Sequence, residues 1–127
     1  MGKIALLSFG VVVAFGLAGA ALADTMAETY GNTLLATNLA GETTKFLFKD
    51  DGTYTFVTAK GEHGSGKWAI KSGKYCSTDD LPATAAAGTP APKEACLDYQ
   101  PNHKVGDKWT QNGSDGKAII VEIKAGT

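Results

Sequence analysis

Arginine is absent from this chain, and all twelve basic residues are lysine. That removes the side chain best shaped for forked recognition of phosphate or carboxylate. With thirteen acidic residues and a net charge of −1, there is no basic surplus to hold nucleic acid or an anionic membrane surface. Histidine is scarce too: His63 and His103 are the only two, and no H-x-x-x-H, H-x-H or Cys/His spacing surrounds them. Such spacings are what set donor atoms around a metal ion, so no metal or other cofactor is expected. There is no C-x-x-C and no G-x-S-x-G, which leaves redox and serine-nucleophile chemistry without a motif. Gly61 to Lys67 approaches a phosphate-binding loop, but Trp68 follows where a magnesium-binding Ser or Thr is needed. We read that stretch as a flexible glycine-rich connection. The adjacent carboxylates Asp50-Asp51 and Asp79-Asp80 read as turn and solubility residues. Nothing in the sequence points to an enzyme.

What is present begins with the leader. Lys3 precedes an apolar run from Ile4 to Leu22, and Ala21-Leu22-Ala23 is a small-x-small cleavage site, so residues 1–23 read as a signal peptide. The expected compartment is therefore the periplasm or the exterior, with no stable membrane insertion after cleavage. In such a compartment the two cysteines, Cys76 and Cys96, form a disulfide. The loop it closes spans about 20 residues, which in the chain-entropy picture stabilises the fold by roughly 3 kcal/mol.

Residues 24–127 read as a single β-domain. After a lead-in from Asp24 to Tyr30, which could form a turn of helix, apolar and polar residues alternate with the period of two of half-buried strands. Phe46 and Phe48 share one face, as do Tyr54 and Phe56, Trp68 and Ile70, and Ile119, Val121 and Ile123. Turn signals separate these runs: Gly41-Glu42, Asp50-Asp51-Gly52, Ser72-Gly73 and Asn112 to Gly116. Residues 60–66 are expected to be a loop. Residues 79–93 hold three of the four prolines and read as a mobile Ala/Pro-rich loop, with a short helix at Pro82 to Ala87 as the alternative. The fold expected is all-β: an antiparallel meander of about eight strands, curled into a small barrel or a sandwich and tied by one disulfide. The aromatic residues are expected to fill its core, with Trp68 and Trp109 as candidate lining if the interior is hollow.

Two stretches carry a resemblance. The hairpin W-A-I-K-S-G-K-Y-C, Trp68 to Cys76, and the preceding F-L-F-K-D-D-G-T-Y-T-F, Phe46 to Phe56, are similar to motifs of small exported lipocalin-like (calycin-like) β-domains of Gram-negative bacteria, most of unassigned activity. The resemblance implies a β-barrel and transfers no site residue. A second likeness is to periplasmic lysozyme inhibitors with an S-G-x-x-Y loop, from which Ser72-Gly73-Lys74-Tyr75 departs by one residue. The function expected is a non-enzymatic, envelope-associated binding protein. The alternatives are an inhibitor of a hydrolase or a carrier of a small apolar ligand. Candidate binding loops carry Glu62 and His63, and Ser72, Lys74 and Tyr75.

Overall fold

The structure is a computed structural model that describes residues 24–127. The expected signal peptide, residues 1–23, lies outside the described residues. Among the described residues, one short helix, α1 (Thr25–Thr29), precedes eight strands: β1 (Thr33–Thr37), β2 (Thr43–Phe48), β3 (Thr53–Val57), β4 (His63–Lys71), β5 (Lys74–Asp79), β6 (Ala95–Asp98), β7 (Lys108–Asn112) and β8 (Ala118–Lys124). They form one antiparallel sheet in the order β6-β5-β4-β3-β2-β1-β8-β7. Chain neighbours are therefore sheet neighbours everywhere except between β6 and β7. The first strand pairs with the last in a five-residue register from Thr33 opposite Lys124 to Thr37 opposite Ile120. That pairing curls the meander into a nearly closed barrel and decides against a sandwich. Below it, Gly126 N donates to Asn32 Oδ1 at 2.9 Å, fastening the turn that enters β1 to the segment that leaves β8.

The seam of the barrel lies between β6 and β7. It is bridged by a side chain: Gln111 Nε2 donates to the Asp98 carbonyl at 3.1 Å. On the far side of β6, Cys76 and Cys96 stand directly opposite one another in the β5–β6 ladder and are joined by the expected disulfide.

The local chemistry of the turns explains much of the register. Ser72 and Gly73 both take positive φ, 50° and 77°, which is the backbone of a two-residue hairpin turn whose twist matches the flanking strands. At the β2–β3 connection Asp51 Oδ1 accepts from Thr53 N at 3.0 Å, and Gly52 takes φ 86°. An Asp-Gly pair supplies both the side-chain acceptor and the left-handed residue that such a turn requires.

Two local expectations change and two open alternatives are decided. The lead-in is a true helix turn, with the Asp24 side chain accepting from Met26 N as its cap. Residues 63–66 are not loop but the first half of β4. Asp79 ends β5, so the Ala/Pro-rich connection starts one residue later, at Asp80. No helix forms at Pro82 to Ala87; a turn closed by Ala85 N donating to the Pro82 carbonyl at 2.9 Å stands there instead. Among the described residues, no helix is long and apolar enough to cross a membrane.

Candidate functional site

Because β-strand side chains alternate between faces, the barrel interior is set by parity. Leu34 and Ala36 of β1, Phe46 and Phe48 of β2, and Tyr54 and Phe56 of β3 point inward, as do Tyr75, Ser77 and Asp79 of β5. Five of these nine are aromatic rings, and a narrow barrel is expected to be filled by its own side chains. It is not filled. A cavity of about 390 Å³ runs through the interior, which corrects the expectation that the aromatics pack it solid.

The reason lies in β4. Tyr54 pairs with Gly66 and Phe56 with Gly64 across the β3–β4 ladder. A Cβ at Gly64 would collide with the Phe56 ring, and one at Gly66 with the Tyr54 hydroxyl and, at 2.5 Å, with the Thr78 carbonyl. The two glycines let the aromatic rings lie sideways against the wall of the barrel, where they would otherwise project toward its axis. Ring-to-ring contacts then run round the wall: Phe46 on Phe56 at 6.0 Å, Phe48 on Tyr54 at 5.6 Å and Phe48 on Tyr75 at 5.9 Å. Such tilted and edge-on pairs contribute about 0.5–1.5 kcal/mol each beyond burial.

One end of the cavity is plugged. Met26, on α1, is buried against Phe48 and Tyr54. The helix is held there by the segment that follows β6: the Thr25 hydroxyl donates to the Gln100 carbonyl at 2.5 Å, and the Tyr99 hydroxyl donates to Asp24 Oδ1 at 2.7 Å while accepting from Met26 N at 3.1 Å. Burial, with the Asp24 carboxylate adding to it, pushes the Tyr99 phenol up to about 12. At the opposite end the lining residues Ala36, Thr44, Thr58 and Ile119 are half-buried and Asp79 is exposed, whereas Met26, Phe48 and Ile123 at the plug are buried. The cavity is closed at α1 and opens at the other end.

The polar groups are few. The Tyr54 hydroxyl donates to Asp79 Oδ1 at 2.5 Å; burial first, and then this carboxylate, hold its phenol far above the ordinary range. Tyr75 is held up in the same way, mainly by burial, with Ser77 acting in the opposite direction. Both remain neutral phenols at any physiological pH. On β7, Trp109 lines the cavity and its Nε1 donates to Gln111 Oε1 at 2.6 Å. Its other face stacks on His103, ring centroids 3.6 Å apart, and His103 Nδ1 lies 3.2 Å from Asp107 Oδ2. His103 and Asp107 thus hold the indole from behind.

No protein-family model, curated protein or solved structure matches the chain. The candidate site is therefore defined by its geometry.

The residues singled out from the sequence separate into groups. Trp109 lines the cavity as expected; Trp68 does not. It sits at the plugged end over Tyr30, Phe48 and Tyr75, with Nε1 donating to the Lys49 carbonyl at 3.2 Å. Its partner in parity, Ile70, is 40% exposed, because β4 outruns β3 at that end. Tyr75 belongs to no binding loop; it lies in β5 with its ring facing inward. Ser72 and Lys74 lie at the plugged end, and Glu62 and His63 at the open end, so the two candidate loops form no common surface. Lys74 is paired with Asp98 at 2.8 Å. Among the described residues the one group that gathers three potential metal donors within 4.8 Å is Cys76, Glu94 and Cys96, and both of its sulfurs are bound in the disulfide.

Asp79 is the residue that sequence reading missed. Its place in the alternation Tyr75, Ser77, Asp79 marks it as inward-facing once β5 is extended by one residue, and that was the available signal.

Proposed function

We propose that the protein is an exported, non-enzymatic binding protein that carries a small, mainly apolar ligand inside its barrel. The observation that carries this reading is the cavity: about 390 Å³, walled by aromatic and aliphatic side chains, closed by α1 at one end and open at the other. Ligand pockets typically measure roughly 300–1,000 Å³ and combine an apolar wall with a few placed polar groups. The interior has that composition, with Asp79, Tyr54, Tyr75 and Ser77 supplying the polar part. A barrel built only for stability would gain from filling this space, since unfilled volume costs about 24 cal/mol per Å³ in a rigid core. The lipocalin-like resemblance of Phe46 to Cys76 points the same way, as does the apolar leader at Ile4 to Leu22 for export.

The test is titration of the disulfide-bonded domain, residues 24–127, with phenylnaphthylamine, a neutral dye that brightens in apolar surroundings. Saturable binding at one site per chain, weakened by Ile119→Trp at the open end, is the expected result. Linear, non-saturating fluorescence would refute the carrier reading. Export is tested separately by fractionating cells that express the full chain and sequencing the N-terminus of the product; Asp24 as first residue is expected.

A further inference from the structure

The charge inside the cavity is of one sign. Among the lining residues only Asp79 and Asp98 carry a formal charge. Asp98 is already compensated: its carboxylate is turned outward to Lys74 Nζ at 2.8 Å, with 78% of the side chain exposed. Asp79 differs. No lysine or histidine nitrogen lies within ion-pair distance of it among the described residues. Its Oδ1 accepts the Tyr54 hydroxyl, and its Oδ2 accepts nothing among them. The neighbouring Asp80 takes both available partners on the outer face, Ser65 at 2.8 Å and Lys67 at 3.4 Å. One carboxylate oxygen is thus presented, unneutralised, where the cavity meets solvent.

Below it the walls are the faces and edges of Tyr54, Phe56, Tyr75 and Trp109. Aromatic faces carry negative quadrupole density and attract cations within about 6 Å of the ring centroid. The same walls repel an anion, and no lysine, histidine or arginine lines the cavity to receive one. A carboxylate ligand, such as a fatty acid, would place its charge against Asp79 or bury it among apolar groups, and both are costly.

We propose that the ligand is an organic amine in its ammonium form, with the nitrogen bound at Asp79 Oδ2 at the open end and an apolar body directed toward Met26. This rests on the carrier reading and specifies its ligand class. The inward residues of β3, Tyr54 to Thr58, span four steps of about 3.3 Å. With strands tilted by roughly 40° that is a depth of about 10 Å, which sets the length of the body. The Ser77 and Tyr75 hydroxyls lie one and two inward positions below Asp79 on β5 and can accept the remaining ammonium hydrogens.

The experiment is competition of octylamine, octanol and octanoate against phenylnaphthylamine at pH 7 and low salt, with the unmodified domain. The three competitors share one apolar body and differ only in the head group. Octylamine is expected to displace the dye about tenfold more tightly than octanol, the equivalent of one charge-assisted hydrogen bond, with octanoate weakest. In Asp79→Asn, which keeps an acceptor for Tyr54, the amine should fall to the level of octanol while octanol is unchanged. Equal displacement by all three, or preference for octanoate, overturns the amine assignment and leaves the carrier reading standing. Failure of the dye itself to bind overturns the carrier reading.

Discussion

Replacing Gly66 by alanine tests whether the aromatic residues lie sideways over glycine. Glycine in a strand interior costs roughly 0.5–1 kcal/mol relative to alanine because it loses more conformational freedom on folding. Gly66 has a backbone that alanine adopts without strain, since its φ lies outside the left-handed range. On propensity alone the substitution should therefore stabilise the protein. The structure demands the opposite sign. The new methyl would meet the Tyr54 hydroxyl and ring and, at 2.5 Å, the Thr78 carbonyl. The phenol can swing away, but the carbonyl is fixed in the β4–β5 ladder, where Lys67 pairs with Thr78 and Gly66 with Asp79. Overpacking of this kind costs about 1–3 kcal/mol, and displacing Tyr54 also breaks its bond to Asp79, a hydrogen bond to a charged group contributing about 1.5–3 kcal/mol. After the propensity gain is subtracted, a net loss of about 1.5–5.5 kcal/mol is expected. At Gly64→Ala the nearest atoms are those at the tip of the Phe56 ring, which can rotate toward the open end, so it should lose about 1–2 kcal/mol. Urea unfolding followed by tryptophan fluorescence measures both. If Gly66→Ala is as stable as the parent, or more stable, the rings do not lie over β4 and the cavity does not have this wall.

Three further predictions follow from the same geometry. Cys76→Ser should lose about 2–5 kcal/mol, the usual cost of removing a native disulfide from a small secreted domain, and an unchanged melting temperature would show that the β5–β6 ladder holds without it. A protease that cuts within the exposed connection Asp80 to Lys93 should give two fragments that separate on a gel only after reduction, because Cys76 and Cys96 flank the cut; separation without reductant would place the cut outside that connection or the disulfide elsewhere. Titration should show stability lost at both extremes of pH. Asp51, Asp80, Asp98 and Asp107 are held below the ordinary carboxylate range, chiefly by hydrogen bonds from Thr53, Ser65, Lys74 and the Lys104 backbone respectively. A folded-state value below the unfolded one contributes stability that is complete above about pH 4 and is lost as pH falls further. Tyr99, raised to about 12, acts in the other direction: above about pH 10 the unfolded chain releases its phenol proton and the folded one does not, so stability falls. Tyrosinate absorbance should therefore rise together with unfolding for Tyr54, Tyr75 and Tyr99; their ionisation near pH 10 in a chain that keeps its far-ultraviolet dichroism would refute the burial described.

The fold was legible because its signals are local. Phe46 with Phe48, and Ile119 with Val121 and Ile123, display the period of two without help from the rest of the chain, and Ser72-Gly73 and Asp51-Gly52 announce their turns by residue type. The site was not legible, because it is made by the register. Tyr54 and Asp79 are 25 residues apart and meet only because β3, β4 and β5 align Tyr54 with Gly66 and Gly66 with Asp79. Glycine hid the alternation in β4. Gly64 and Gly66 have no side chain to mark a face, so H-G-S-G looks like a hinge, yet both share the parity of Trp68 and are inward positions left vacant for rings from the neighbouring strand.

That vacancy also explains why so small a barrel can be hollow and still hold together. The rings that would otherwise occupy the axis are stacked along the wall, where Phe48 touches Tyr54, Trp68 and Tyr75 at once, so the packing that stabilises the domain is arranged around the void. The plug completes it. Met26 is the side chain that closes the void against Phe48 and Tyr54, and α1 is too short to be stable alone, since isolated helices under roughly 12 residues are marginal in water. Its order depends on Asp24, Thr25 and Met26 N being held by Tyr99 and Gln100. Tyr99→Phe removes the hydroxyl that both donates to Asp24 and accepts from Met26 N, and should therefore loosen the plugged end while leaving the eight-stranded ladder intact. Amide hydrogen exchange distinguishes the two: protection should fall at Glu28, whose N–H bonds to the Asp24 carbonyl, and remain unchanged at Phe46 and Phe56. Equal loss at all three would mean that the helix is part of what holds the barrel closed, and that the cavity cannot open at its base without unfolding the domain.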